Sequence, residues 1–251
     1  MKPFLKGWFE WVAGPLPHRT MFYHSYLHRR QLNRSIIAIK HKISPHTKLL
    51  DLGCGSQPYR KYLEDSCDIY VGMEFSKYTG GTLLKKLPDL IGDAHKIPVR
   101  SNSMDAVLLT EVLEHVSHPA EVLHETHRVL KENGRIFVSM PFMFYEHGSP
   151  ADYRRFTMGG LKNFIENEKI GFQVEEVTQL GNTGTVLMQT LQYVVYQRLQ
   201  RTTAGKLFYY SFGLILLPLF SLLMNCLGVV LDILLDDEIA YSGVFSVLKK
   251  V

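Results

Sequence analysis

An α/β fold on a mostly parallel sheet is the architecture this sequence predicts, and three stretches predict it. In Leu49–Pro58 an apolar run (Leu49, Leu50, Leu52) stops at Gly53-Cys54-Gly55 and leads into a helix over Tyr59–Asp65. In Asp105–Thr110 the uninterrupted apolar residues Ala106 to Leu109 suit a strand covered on both faces. From Lys48 to Leu180 short strands alternate with helices, an order that builds a parallel sheet with ligands at the carboxyl ends of its strands.

The first strand defines the candidate ligand site. Glycines at 53 and 55 let the backbone turn with positive φ and let a ligand approach without meeting a Cβ. Asp51 precedes them, giving Asp-x-Gly-x-Gly, and Pro58 stands where a dinucleotide fingerprint has its third glycine. A buried acid there suits a cationic or amide-bearing ligand better than a pyrophosphate. The second strand, Ile69–Met73, ends at Glu74, about twenty residues past the glycine loop, where an acid accepts both ribose hydroxyls of a nucleoside. Phe75 follows and can pack on a base. Gly92-Asp93-Ala94 supplies a third acid.

The fourth strand, Asp105–Thr110, runs into Glu111-Val112-Leu113-Glu114-His115-Val116. A helix over Pro119–Leu130 then begins with proline in its first turn and stops at Asn133-Gly134, before a fifth strand at Arg135–Met140. The loop Pro141–Thr157 leaves that strand's carboxyl end and gathers His147, Asp152, Tyr153, Arg154 and Arg155. Loops in this position carry function more often than fold. Part of the pattern has a structural reading: Thr157 caps the next helix, Met158–Glu168, and Arg154 or Arg155 pairs with Asp152.

Asp51-x-Gly53-x-Gly55, Glu74, Asp93 and the Glu-x-x-Glu-His run after strand four together resemble the type 11 branch of the class I S-adenosylmethionine-dependent methyltransferases. The segment His147-Gly-Ser-Pro-Ala-Asp152-Tyr153-Arg154-Arg155-Phe-Thr157 is similar to type 11 enzymes associated with bacterial surface-polysaccharide pathways. The resemblance covers about Lys48–Leu180. It implies a Rossmann-like sheet with an antiparallel closing strand, and S-adenosyl-L-methionine as cofactor. It implies cofactor contacts from Asp51, Gly53, Cys54, Gly55, Glu74, Phe75, Asp93, Ala94, Thr110 and Glu111. In that reading Asp51 and the glycines hold the amino-acid end, Glu74 the ribose and Asp93 the adenine, while Glu111 borders the methyl donor. A hydroxyl acceptor needs a base near neutral pKa, and His147 leads His115 for that part, with Asp152 beside them. Tyr153 and Arg154 are the substrate-binding candidates.

Two regions depart from that pattern. Residues 1–47 mix aromatics with nine cations up to Lys48 against the lone acid Glu10, and read as a helical extension or lid, or as an interfacial segment. The methyltransferase domain is expected over 48–181 and 243–251, with Phe172–Leu180 as strand six and Gly243–Lys249 as the closing strand. Residues 182–242 lie between those neighbouring strands, and Leu207–Leu231 carries no charge. That length crosses a bilayer, yet both ends must return to one sheet. Gly213 and Pro218 offer a break into two apolar halves, a hairpin dipping into the cytoplasmic leaflet. A buried helical subdomain or a dimer interface is the alternative.

A net charge of +4 and the apolar insert argue against nucleic acid as partner. Three scattered cysteines give no disulfide framework, no metal-ligand spacing stands out, and Lys6 and Glu10 interrupt any signal-peptide core. The expectation is a cytoplasmic enzyme, peripheral or monotopic on the membrane. Its acceptor is a hydroxyl of a lipid-linked or glycan-related molecule, or alternatively a carbon of a lipid-soluble ring such as a quinone precursor. A membrane-docked module that binds the cofactor without turnover is the reading from outside enzymology.

Overall fold

The computed structural model describes residues 20–79, 82–235 and 239–251, so residues 1–19 of the aromatic and basic segment and the acids at 236–238 lie outside it. The chain separates into two compact units. One holds residues 33–142, 146–178 and 244–251 and most of the sheet; the other holds 20–32, Met143–Tyr145 and Gln179–Gly243. By compactness the N-terminal division thus falls at Leu32, and residues 20–32 group with the insert.

The main sheet has seven strands in the order β5-β2-β1-β6-β7-β9-β8, where β1 is Lys48–Leu52, β2 Ile69–Glu74, β5 Leu90–Ile91, β6 Met104–Thr110, β7 Leu130–Pro141, β8 Phe172–Leu180 and β9 Gly243–Lys250. A separate short ribbon joins β3 (Tyr78–Thr79) to β4 (Thr82–Leu83). Strand β1 runs parallel to β2 on one side and to β6 on the other, which makes it the switch point where the chain reverses its direction of sheet growth. Burial follows: Leu49, Leu50, Leu52 and Val107 to Leu109 are at most 1% exposed, as strands covered on both faces require. Thr178 Oγ1 donates to Phe245 O, and Ser246 Oγ donates to Glu176 O, so β8 and β9 run in opposite senses. The sheet is therefore mixed, with its closing strand between β7 and β8.

Two expected boundaries move. The helix after the Glu-x-x-Glu-His run ends at Val129, because Leu130 is already extended (φ −70°, ψ 140°) and pairs with Met104. Asn133, at φ 62°, marks an irregularity inside β7 instead of a helix stop. The helix after the glycine loop is short, Arg60–Leu63, and tightens into a 3-10 turn over Glu64–Ser66. Thr157 caps helix Met158–Asn167 by accepting from Gly160 N at 2.9 Å.

In the second unit the apolar segment does not fold back on itself at Gly213 and Pro218. Helix Leu214–Leu235 runs through Pro218 without a break, preceded by a π turn over Tyr209–Gly213. Helix Thr203–Phe208, the π turn and helix Leu214–Leu235 are contiguous, so Pro218 lies inside one helical run, and the π turn just before it is the kind of local adjustment that accompanies a lost N–H. The hairpin partner is instead helix Thr183–Arg201. Thr185 donates through its N and Oγ1 to Asp232, Gln192 Nε2 donates to Asn225 Oδ1 at 3.2 Å, and Gly184 lies against the backbone of Gly228 and Asp232. These pairings run antiparallel, so the turn end of the hairpin carries Arg198, Arg201 and Lys206, all exposed.

Buried Asn225 also donates to the carbonyls of Met21 and Tyr23, tying residues 20–32 to this unit. Beside them His24 packs on Tyr23 and Tyr196, and burial, reinforced by the Arg29 charge, lowers its pKa to about 4. Its Nδ1 has no partner. Below about pH 6.5 the unfolded chain therefore takes up this proton first, and stability falls as pH drops toward 4, by up to about 3 kcal/mol. Denaturant titrations at pH 7 and pH 5 should show a smaller loss for His24→Phe than for the parent. Equal losses would remove His24 as the cause.

Candidate active site

The carboxyl ends of β1, β2, β5 and β6 surround a cavity of about 450 Å³. Gly53 opens it because the backbone must leave β1 sharply: φ is +74°, and Gly53 N and Cys54 N both donate to Met73 O. A Cβ at Gly53 would fall on Val112 Cγ2, so no side chain fits there. Glu74 ends β2 with its carboxylate fixed by two backbone amides, Gly55 N at 2.8 Å and Phe75 N at 2.8 Å. Phe75 is 71% exposed on the cavity wall. Asp93 follows β5; it accepts from His95 N and pairs with His95 Nδ1 at 2.7 Å, bonds that hold its carboxyl below the usual range.

Among the ten residues expected to contact a cofactor, the cavity is lined by Gly53, Glu74, Phe75, Asp93 and Ala94. Asp51, Cys54, Gly55, Thr110 and Glu111 lie outside that lining. Asp51 is fully buried and accepts from Tyr70 Oη; burial, with the Glu74 charge, pushes it up to about 7. Burial likewise raises the Cys54 thiol, which therefore stays protonated. Gly55 acts through its amide, by placing Glu74. Thr110 is buried in β6, and Glu111, at φ 54°, is held by Ser139, whose Oγ donates to Glu111 Oε1 at 2.8 Å. His95, Val112 and Ser117 also line the cavity and were not anticipated; for His95 the available signal was its place two residues after Asp93.

The loop after β7 completes one side, with Ala151 and Tyr153 in the wall beside His115. Here the charged groups sort into two kinds. The Asp152 side chain is 1% exposed and held by Arg155 through both oxygens, while His147 N donates to its Oδ2 at 2.8 Å. The Arg155 hydrogen bonds, with that amide, pull Asp152 down to about 2. Arg154 was expected to bind substrate, but its guanidinium donates to the carbonyls of Leu113, Val116 and Ser117. It fastens this loop to the turn after β6. His115 and His147 meet edge to face, with ring centroids 4.9 Å apart, and both lie beside Glu114. Glu114 is fully buried, and burial, with the Glu111 charge, raises its pKa well above the carboxylate range.

Residues 50–138 match the family described as "Methyltransferase domain". This stretch is similar to a methyltransferase domain. It runs from β1 into β7 and builds most of the cavity. The chain is 29% identical over 124 residues to cycloartenol-C-24-methyltransferase 1 of Oryza sativa subsp. japonica, covering 45% of this chain and 36% of that one. It is 31% identical over 98 residues to the demethylmenaquinone methyltransferase of Mycobacterium bovis, covering 39% of this chain and 42% of the relative. The chain thus spans less than half the length of these curated relatives. Among solved structures, the [4+2]-cyclase SpnF superposes with a TM-score of 0.56 at 17% identity, over 87% of this chain and 80% of that one, a likeness of fold.

The cofactor of a methyltransferase domain of this fold is S-adenosylmethionine, and the residues present fit it. Gly53 turns the chain at the cavity with no side chain of its own, the Glu74 carboxylate is fixed at the strand end by amides, and Asp93 stands at the next strand end.

Proposed function

We propose that the chain is an S-adenosylmethionine-dependent methyltransferase acting on a hydroxyl of a membrane-associated, glycan-related acceptor. The observation that carries this reading is the polar edge His115–His147–Asp152 beside a cavity whose acids suit a nucleoside. Bound cofactor supplies a sulfonium methyl that is already electrophilic, so the protein's task is positioning. Glu74 accepts from the ribose hydroxyls, Asp93 from the adenine amino group, and Phe75 packs on the base. Tyr153 and Ala151 receive the acceptor, and the His115–His147–Asp152 edge handles its hydroxyl proton.

The membrane half of the reading rests on helix Ile215–Leu235. By length and composition it is able to cross a bilayer, a property that core helices of soluble proteins share; this one, however, is only 28% buried in its most apolar stretch. Arg198, Arg201 and Lys206 sit together at the hairpin turn, where anionic headgroups would meet them. Cations at that end oppose a hairpin dipping tip-first into hydrocarbon and favour one lying along the interface, on the cytoplasmic face. A second reading, methylation of a carbon in a lipid-soluble ring, draws on the cycloartenol and demethylmenaquinone in the two relatives' names, and shares the same docking.

The test incubates the protein with methyl-labelled S-adenosylmethionine and either a membrane extract or a soluble extract of small molecules. Label should enter a lipid-extractable product. His147→Ala should lower that turnover 10²- to 10⁴-fold with cofactor affinity within twofold of the parent. Label only in soluble products would reject the membrane acceptor, and undiminished turnover would remove His147 from the chemistry. Cofactor binding without any transfer would leave a binding module.

A further inference from the structure

The geometry points to a divalent transition-metal site at Glu114, His115 and His147, of the zinc class. The ligand-capable atoms of these three side chains all lie within 4.8 Å of one another. His115 Nε2 is 3.6 Å and His147 Nε2 3.9 Å from Glu114 Oε1. Three ligands at about 2.0–2.1 Å from a tetrahedral ion stand roughly 3.4 Å apart. Both Glu114–histidine separations are therefore within about 0.5 Å of that spacing.

Three further observations support it. First, the Glu114 carboxylate is completely buried, and neither of its oxygens has a hydrogen-bond partner. Leaving a buried carboxylate without donors is costly, and a cation between it and two imidazoles supplies the missing partner. Second, polar partners stand behind both histidine rings. His115 Nδ1 donates to Ala151 O, which leaves Nε2 with its lone pair toward Glu114. His147 Nδ1 lies 3.5 Å from Asp152 Oδ2, and Asp152 is itself clamped by Arg155. Carbonyl and carboxylate partners behind the imidazoles are the usual outer layer of metal-binding histidines. Third, two imidazoles with one carboxylate favour zinc, iron or nickel over magnesium or calcium, which prefer oxygen-only sets.

A second cluster, His95, His118 and Glu121, meets the same distance criterion. There His118 and Glu121 are exposed to water, so no buried charge calls for an ion.

Three protein ligands leave a fourth position, the pattern of sites that act on substrate. His115 also lines the cofactor cavity, so the ion borders the space where the acceptor is received. The part assigned to the ion, unlike the site itself, rests on the methyl-transfer reading above. With the ion in place both histidines serve as its ligands instead of taking the proton themselves, and an acceptor hydroxyl bound to it would release its proton to water. An oxygen lone pair then forms the O–CH3 bond as the S–CH3 bond breaks and its electron pair returns to sulfur.

The experiment uses the full chain, stripped with chelator and then titrated with Zn²⁺ or Co²⁺ by equilibrium dialysis, with the visible spectrum of the Co²⁺ form. Cofactor affinity is measured separately by calorimetry on the same samples. The expected result is one ion per chain with a tetrahedral Co²⁺ spectrum. Glu114→Gln and His147→Ala should each weaken it at least 100-fold with cofactor affinity and thermal midpoint retained, and His118→Ala should leave it intact. If Glu114→Gln fails to fold, His147→Ala, at a partly exposed position, carries the comparison alone. Absence of stoichiometric binding, or binding lost in His118→Ala and kept in His147→Ala, overturns the site. Ion binding without cofactor binding supports the site and defeats only the methyl-transfer reading.

Discussion

Gly53→Val should reduce S-adenosylmethionine affinity at least 100-fold, the largest effect expected from any single change at the cofactor end. Two penalties coincide there. The residue sits at φ +74°, which costs a side chain about 1–2 kcal/mol and a β-branched one more. Its Cβ would also overlap Val112 Cγ2, and Val112 is itself a wall of the cavity. Relief requires moving either the β1 turn, whose amides are bonded to Met73 O, or the turn after β6. Both movements deform the space the ligand occupies. Gly55→Ala provides the contrast. Its φ is +50°, but nothing lies within 4 Å of an added Cβ, so strain alone acts and a loss of about tenfold or less is expected. Calorimetric titration with the cofactor distinguishes the two. Unchanged affinity in Gly53→Val would withdraw the cofactor assignment of this loop.

The triple change Leu219→Gln, Leu223→Gln, Leu227→Gln should release the protein from anionic lipid vesicles. These positions belong to a stripe that continues through Leu216, Val230 and Leu234, each 40–73% exposed. A fully buried leucine contributes roughly 1.5–3 kcal/mol, so a half-exposed one transfers about 1 kcal/mol to whatever covers it. Three together lower partitioning about 100-fold. Because their outward faces touch no neighbour, the thermal midpoint should move little. Flotation of parent and variant through a density gradient reads the first effect, and thermal melting the second. A parent that stays at the bottom of the gradient and dissociates from dimer to monomer on substitution would show that a second copy covers the stripe, and the membrane reading would fail.

The sheet was readable because its signals are local. Apolar runs such as Ala106–Leu109 have no alternative to burial, and Phe172–Leu180 was placed to the residue. The cavity was readable at Glu74 and Asp93 because acids at strand ends have few structural uses. What escaped depended on partners distant in sequence. Arg154 and Arg155 are adjacent and chemically alike, yet one is spent on backbone carbonyls 37 to 41 residues away and the other on Asp152. No spacing rule separates them. Glu114 stood in the quoted motif, but only its complete burial beside two histidines distinguishes it from Glu111. The apolar insert misled for the opposite reason. Proline and glycine suggested a break, whereas Gly184, Thr185 and Gln192 supplied a better-matched partner helix for the unbroken segment.

Strand β9 lies between β7 and β8, although the whole insert separates it from β8 in sequence. The sheet therefore cannot assemble in chain order. While residues 181–242 are being made, β8 has no neighbour on the side of β7, and it waits for a strand that arrives only after two apolar helices. Closing that long excursion costs entropy before any rung between β8 and β9 forms, so its completion should be among the slowest steps of folding. Until then the helices are exposed beside an unfinished sheet edge, a state prone to aggregation. Early capture of the helical hairpin would hold this intermediate out of harm while the last strand is threaded into place.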